Sequence, residues 1–164
     1  MYYSEIKFND VANGPGIRVS LFTSGCTHHC KGCFQPETWN FKNGEPFTSE
    51  IQETIIDKSQ SRYIAGLSLL GGDPLDNVEG ILPLLKEYRN TFGETKTIWL
   101  WTGYLFEEIV SDELLSKVLP FIDVIIDGRF EENHKDITLK YMGSTNQRVI
   151  DVQQSLNTNS IILY

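Results

Sequence analysis

No apolar run in the sequence approaches 18 residues, so it offers no segment able to cross a bilayer as a helix. Its start, Met1-Tyr2-Tyr3-Ser4-Glu5, lacks the basic residues and apolar stretch of a secretory signal, and a cytoplasmic protein is expected. Positive charge is in short supply: 14 Lys and Arg face 22 Asp and Glu, for a net charge of −8. A surplus of that sign repels phosphate backbones and anionic lipid heads, which excludes nucleic acid and the membrane surface as natural partners. Internal repeats and interdomain linkers are also missing, and 164 residues suit one domain, not two. Cysteine is scarce as well. The three cysteines, Cys26, Cys30 and Cys33, are odd in number and crowded together, which excludes a disulfide framework and points to a reducing compartment.

What is present describes a globular α/β chain. Hydrophobic residues make up 40% and charged residues 22%, too apolar a balance for a disordered polymer. Short runs rich in β-branched and aromatic residues at Ile17–Phe22, Gly66–Leu70, Thr97–Trp101 and Ile122–Ile126 predict buried strands. Arg148–Val152 and Ile161–Leu163 raise the expected number to six. Helical spacing lies between them. Ser49 and Gln52 form a capping box ahead of Ile51, Ile55 and Ile56. A second helix carries Ile81, Leu82, Leu85 and Tyr88 and meets Pro83 as a kink or late start. A third stretch, Leu105 to Val118, breaks near Ser111-Asp112. Alternation of strand and helix predicts a largely parallel sheet in an open or partial (β/α) barrel, since a complete eightfold barrel takes roughly 250 residues. Ligands of such sheets gather beyond the strand C-termini, here the loops after Phe22, Leu70, Trp101 and Ile126.

The first of these loops holds all three cysteines in a C-x3-C-x2-C spacing, with Gly25 and Gly32 free to wrap the backbone around a metal centre. Structural zinc completed by His28 or His29 is one reading. A four-iron cluster is another: such clusters normally take four cysteines, so with three one iron stays open to an exogenous ligand. The second loop reads Gly71-Gly72-Asp73-Pro74. Two glycines let a ligand approach the backbone, and the acid can accept hydrogen bonds from an ammonium group.

The cysteine loop, at that place in an α/β chain, resembles the cluster loop of the radical S-adenosylmethionine (SAM) superfamily, and Gly-Gly-Asp-Pro resembles its Gly-Gly-Glu motif with Asp in place of Glu. Further stretches narrow the likeness: NGPGIR at Asn13 to Arg18, PETW at Pro36 to Trp39, TIWLWTGY at Thr97 to Tyr104, DVIIDGRF at Asp123 to Phe130 and GSTNQRVID at Gly143 to Asp151. Together, over about residues 5 to 152, they resemble the activating proteins of the anaerobic (class III) ribonucleoside-triphosphate reductase. Met142 stands where many relatives carry Arg, and the polar segment 153–160 has no counterpart.

The resemblance implies a 4Fe-4S cluster on Cys26, Cys30 and Cys33, with the amino and carboxylate groups of SAM on the fourth iron. It assigns the SAM amino group to Gly71, Gly72 and Asp73, and the nucleoside half to Gly32, Cys33 and Phe34. It implies a radical-SAM activase that cleaves SAM reductively and generates a glycyl radical on the reductase. Its implied partners are that reductase subunit, a reduced flavodoxin-type donor and a second copy in a homodimer. Two alternatives are an activase of another glycyl-radical enzyme and a non-enzymatic zinc or iron–sulfur module. Trp99 and Trp101, on one side of a strand, read as core and His134 as solvated, whereas two readings stay open for Thr102 and Asp127: a plain helix cap and a plain turn, or site groups at strand C-termini. Arg148 and the cluster-loop histidines His28 and His29 receive no fixed role.

Overall fold

In the computed structural model, which describes residues 1–164, seven strands form one open sheet. In chain order they are β1 (Tyr2–Asp10), β2 (Ile17–Ser24), β3 (Glu45–Pro46), β4 (Ile64–Gly71), β5 (Thr97–Trp101), β6 (Val124–Asp127) and β7 (Arg148–Asp151). Their order across the sheet is β3-β1-β2-β4-β5-β6-β7. The central strands β2, β4, β5 and β6 run parallel, whereas β1, β3 and β7 add antiparallel edges. The sheet is thus parallel at its centre and unclosed, with a free edge at each end.

The four expected central strands are present. β1 and the two-residue β3 are the strands that sequence reading passed over, and β1 is the longer. Its side chains alternate half-buried Ile6 and Phe8 with exposed Glu5, Lys7 and Asn9, the period-2 pattern of a strand with one wet face and not a continuous apolar run. At the other end, Ile161–Leu163 is no strand; Leu163 makes only an isolated bridge to Ile150. The polar segment after Asp151 coils into α4 (Val152–Thr158), capped by the Asp151 side chain on the Gln154 N–H.

The remaining helices cover one face of the sheet. α1 (Ser49–Ser59) begins one residue before the expected box: Thr48, not Ser49, is the cap, its hydroxyl accepting from the Ile51 N–H. α2 (Val78–Phe92) carries Pro83 within it. α3 (Phe106–Ser111) stops where expected, and Asp112 Oδ1 accepts from the Leu114 and Leu115 N–H groups to start a tighter turn. Ile55, Ile81, Leu84, Leu85, Tyr88 and Ile109 from these helices pack on Val19, Leu21, Leu67, Leu69, Ile98 and Leu100 of the strands. No helix of the chain is long and apolar enough to cross a membrane.

The opposite face is where the side chains of alternate strand residues meet. Trp99, Val124 and Ile126 are buried there with Trp101, Tyr141, Met142 and Val149 against them, so the tryptophans serve as packing, as expected. Arg18 lies fully buried on this face without a carboxylate in contact. Its guanidinium donates to Ser68 Oγ, Thr97 Oγ1 and the carbonyls of Pro15, Leu67 and Thr97. Burial pushes it from 12.5 down to about 10. The Ser68 hydroxyl passes the network on to the Asn13 carbonyl at 2.6 Å. Asn13, Phe22, Leu70 and Trp101 then open onto a cavity at the C-terminal ends of the strands.

Candidate metal centre

The cavity holds about 590 Å³, within the roughly 300–1,000 Å³ common for small-molecule sites. All three cysteines line it, together with Phe34, Gly71, Gly72 and Asp73. The structure therefore brings seven of the eight expected site residues to one place from two loops. The eighth, Gly32, sits between Lys31 and Cys33 at φ +76°, and Gly25 adopts φ +105°; both turns require the left-handed region that glycine tolerates.

The cluster loop follows β2 and is pinned against the turn after β4. Gly72 N–H donates to the Thr23 carbonyl at 2.7 Å, Asp73 N–H to the Gly25 carbonyl at 2.8 Å, and Gly25 N–H to the Thr38 carbonyl at 2.7 Å. A methyl group at position 72 would stand 2.5 Å from the Gly25 oxygen, so only glycine permits this approach. On the far side the loop meets the segment after β6. Phe34 packs on Phe130 with ring centroids 5.0 Å apart, and Lys31 pairs with Glu132 at 3.3 Å.

Burial raises the Cys26 thiol to about 11, while bonds from the His28 and His29 backbone N–H groups pull the other way. Cys30 is likewise raised by burial and opposed by the Phe130 backbone N–H. Such N–H donors aimed at sulfur are among the groups that tune a thiolate-bound cluster. No three His, Cys, Asp or Glu side chains stand close enough to share one ion. The donor set of three soft thiolates around one cavity thus fits iron–sulfur ligation.

The histidines are committed elsewhere. His28 Nε2 bonds Asp73 Oδ2 at 2.9 Å, and its ring meets Tyr104 edge-on at 4.5 Å. His29, at φ +49°, stacks on Trp39 with centroids 4.5 Å apart. Thr102 is not the cap of α3, whose N-cap is Leu105; its hydroxyl bonds Asp73 instead. Asp127 is fully buried, accepts from the Phe106 N–H at 2.8 Å and pairs with Arg148, which also grips Glu107. It is more than a turn, since it anchors α3 to β7. His134 is exposed beside Glu131, as expected.

Sequence reading missed Thr27, Asp76 and Tyr104. Asp76 accepts from Thr27 N–H at 2.7 Å and from the Tyr104 hydroxyl at 2.7 Å, tying the same loops together. Burial first, and the Asp76 bond second, push that phenol up to about 12. The one sequence signal was a second acid three residues after Asp73 in a proline-led turn.

An α/β sheet that gathers three thiolates at its strand C-termini defines an iron–sulfur protein, and residues 12–150 match the family described as a 4Fe-4S single cluster domain. The anaerobic ribonucleoside-triphosphate reductase-activating protein of Pasteurella multocida is 40% identical over 90% of this chain and 95% of its own. That of Enterobacteria phage T4 is 45% identical over 91% and 93%, and that of Escherichia coli K12 is 40% identical over 91% and 97%. The chain belongs to the family of anaerobic ribonucleoside-triphosphate reductase-activating proteins.

Proposed function

We propose that this chain activates an anaerobic ribonucleoside-triphosphate reductase by radical-SAM chemistry, its open sheet serving as the partial (β/α) barrel of that superfamily in one domain spanning residues 1–164. The observation that carries the reading is the convergence of the C-x3-C-x2-C loop and the Gly71-Gly72-Asp73 turn on one cavity, in a chain with no fourth cysteine. Cys26, Cys30 and Cys33 would hold the 4Fe-4S cluster. When bound, the cluster supplies the electron that cleaves SAM to methionine and a 5′-deoxyadenosyl radical, which takes a hydrogen atom from a glycine Cα of the reductase.

The chain's own residues bind, orient and exclude. The backbone of Gly71 and Gly72 in that turn receives the methionine amino group, because its glycines leave it open to close approach. Gly32, Cys33 and Phe34 flank the nucleoside half. Phe34, Trp101, Phe130 and Tyr141 supply an apolar wall that keeps water and stray hydrogen donors from the reacting carbon. Hydrogen abstraction needs no general base. The reductase's glycine segment enters over the strand C-termini. A reduced flavodoxin-type donor and a homodimer complete the reading and rest on the family resemblance, and a cytoplasmic setting accords with the reducing compartment that the three cysteines point to.

The deciding experiment is anaerobic reconstitution, reduction and EPR with and without SAM, followed by assay for 5′-deoxyadenosine and for a glycyl radical on the reductase. The expected result is a four-iron signal that changes with SAM, with both products formed. A cluster indifferent to SAM, or a glycyl signal that never appears on that partner, refutes it.

A further inference from the structure

Asp73 is the most heavily bonded side chain of the cavity. Its carboxylate is 1% exposed and takes donors from three different loops. Oδ1 accepts from the Leu75 N–H at 2.9 Å, within its own turn. Oδ2 accepts from the Gly103 N–H at 2.8 Å, after β5, and from His28 Nε2 at 2.9 Å, between the first two cysteines. The Thr102 hydroxyl lies 3.0 Å from Oδ1 and 2.9 Å from Oδ2, and its single proton serves one of them. An ionised carboxylate has about four lone-pair sites and no proton to give. Leu75, Gly103, Thr102 and His28 fill those sites, and the acceptor-only carboxylate fixes Nε2 of His28 as the protonated nitrogen.

The backbone of the turn is in a different position. Gly71 and Gly72 line the same cavity and carry no side chain to obstruct it. His28, for its part, is held on three sides: by Asp73, by the Tyr104 ring, and by Gly103, where a methyl group would stand 2.5 Å from the imidazole. A histidine so enclosed fixes the path of the chain between Cys26 and Cys30.

We propose that the Asp73 carboxylate is a staple and not a ligand of the cofactor: through His28 it sets the path of the cluster loop, through Thr102 and Gly103 it ties that loop to β5, and it leaves the methionine amino group to the backbone of Gly71 and Gly72. Asp73 and His28 are then positioning residues for the cluster. This rests on the reading of the cavity as the cluster and SAM site.

The test compares reconstituted wild type with Asp73→Asn, His28→Ala, His28→Gln and the double variant His28→Ala/Asp73→Asn. It records the rate of cluster loss to a chelator, SAM affinity from the EPR change, and hydrogen exchange at the Gly103 amide of metal-free protein. Loss of a charge-assisted bond should speed cluster loss about tenfold in Asp73→Asn and in His28→Ala. The double variant should be no faster than the worse single one, because both cut the same link. His28→Gln, which can still present an amide N–H to the carboxylate, should stay near wild type, and SAM affinity on intact cluster should hold. An Asp73→Asn protein with wild-type cluster lifetime and weakened SAM binding overturns the staple, as do effects that multiply in the double variant. If Asp73→Asn does not fold, equal cluster lifetimes for His28→Ala and His28→Gln overturn it. Wild type that takes no SAM-responsive cluster refutes the functional reading instead. The staple is then judged by the Gly103 amide alone, which must lose protection in Asp73→Asn or His28→Ala.

Discussion

Replacing Gly72 with alanine tests whether the close approach of the two loops is what builds the centre. The added methyl would lie 2.5 Å from the Gly25 carbonyl oxygen, 2.9 Å from the Gly25 carbonyl carbon and 2.9 Å from the Thr38 carbonyl oxygen. Ordinary contact begins near 3.4 Å, so the Gly25 oxygen must retreat by roughly 0.9 Å. All three atoms belong to backbone, and none can swing aside as a side-chain tip would. The same segments are drawn together by the Gly72–Thr23, Asp73–Gly25 and Gly25–Thr38 bonds, and retreat lengthens them. Overpacking of this kind costs about 1–3 kcal/mol, and a clash confined to backbone belongs at the upper end. For a chain of this size that is a fall in melting temperature of about 2–4 °C per kcal/mol. Because Gly25 immediately precedes Cys26, the variant should also lose bound iron out of proportion to its loss of stability. Thermal unfolding of the metal-free protein and iron per chain after anaerobic reconstitution read the two effects separately. Wild-type melting and wild-type iron in Gly72→Ala would refute the steric argument.

Three further changes probe other parts of the molecule. Cys30→Ala should abolish the SAM-responsive EPR signal while leaving far-UV circular dichroism intact, since its thiol is a proposed ligand and only partly buried; retention of the signal would remove this cysteine from the centre. Arg18→Met recovers the desolvation cost of a buried cation but strips donors from Ser68, Thr97, Leu67 and Pro15, and bonds from a charged donor contribute about 1.5–3 kcal/mol each. A net loss of about 2–3 kcal/mol in urea unfolding is expected, and a variant as stable as wild type would sink the idea that Arg18 organises the buried face. Arg148 holds the Glu107 carboxyl below its ordinary 4.5, so this pair adds stability above that pH and loses it as pH falls through the lowered value. With Glu107 more than half exposed the gain stays under about 1 kcal/mol. Stability curves of wild type and Glu107→Gln should therefore separate above pH 4.5 and converge in acid, and parallel curves throughout would contradict it.

Much of the centre is written locally in the chain. The spacing of Cys26, Cys30 and Cys33 depends on consecutive residues and on glycines at 25 and 32 that fold the loop back. Each strand before a loop, Ile17–Ser24 or Ile64–Gly71, announces itself by a buried apolar run, and parallel strands necessarily deliver their following loops to the same edge of the sheet. Local signals therefore sufficed to place the cysteine loop and the glycine turn together. They failed for β1, because an antiparallel strand with one wet face carries charged residues at alternate positions and offers no run to detect. They left Thr102 and Asp127 undecided, since a threonine or aspartate near a strand end looks the same whether it caps the next helix or bonds something distant.

The tertiary structure alone decided which groups those side chains meet. Asp73 bonds His28 across 45 positions and Thr102 across 29, and Arg18 reaches Thr97 across 79. Nothing in the residues between sets those distances; the order β2-β4-β5 in the sheet does, by laying three loop ends side by side. Burial then decides the chemistry. A carboxylate in water would keep a site free for a visiting ammonium, but Asp73, closed off from solvent, must be satisfied by the protein itself, and its partners are drawn from three loops around the centre.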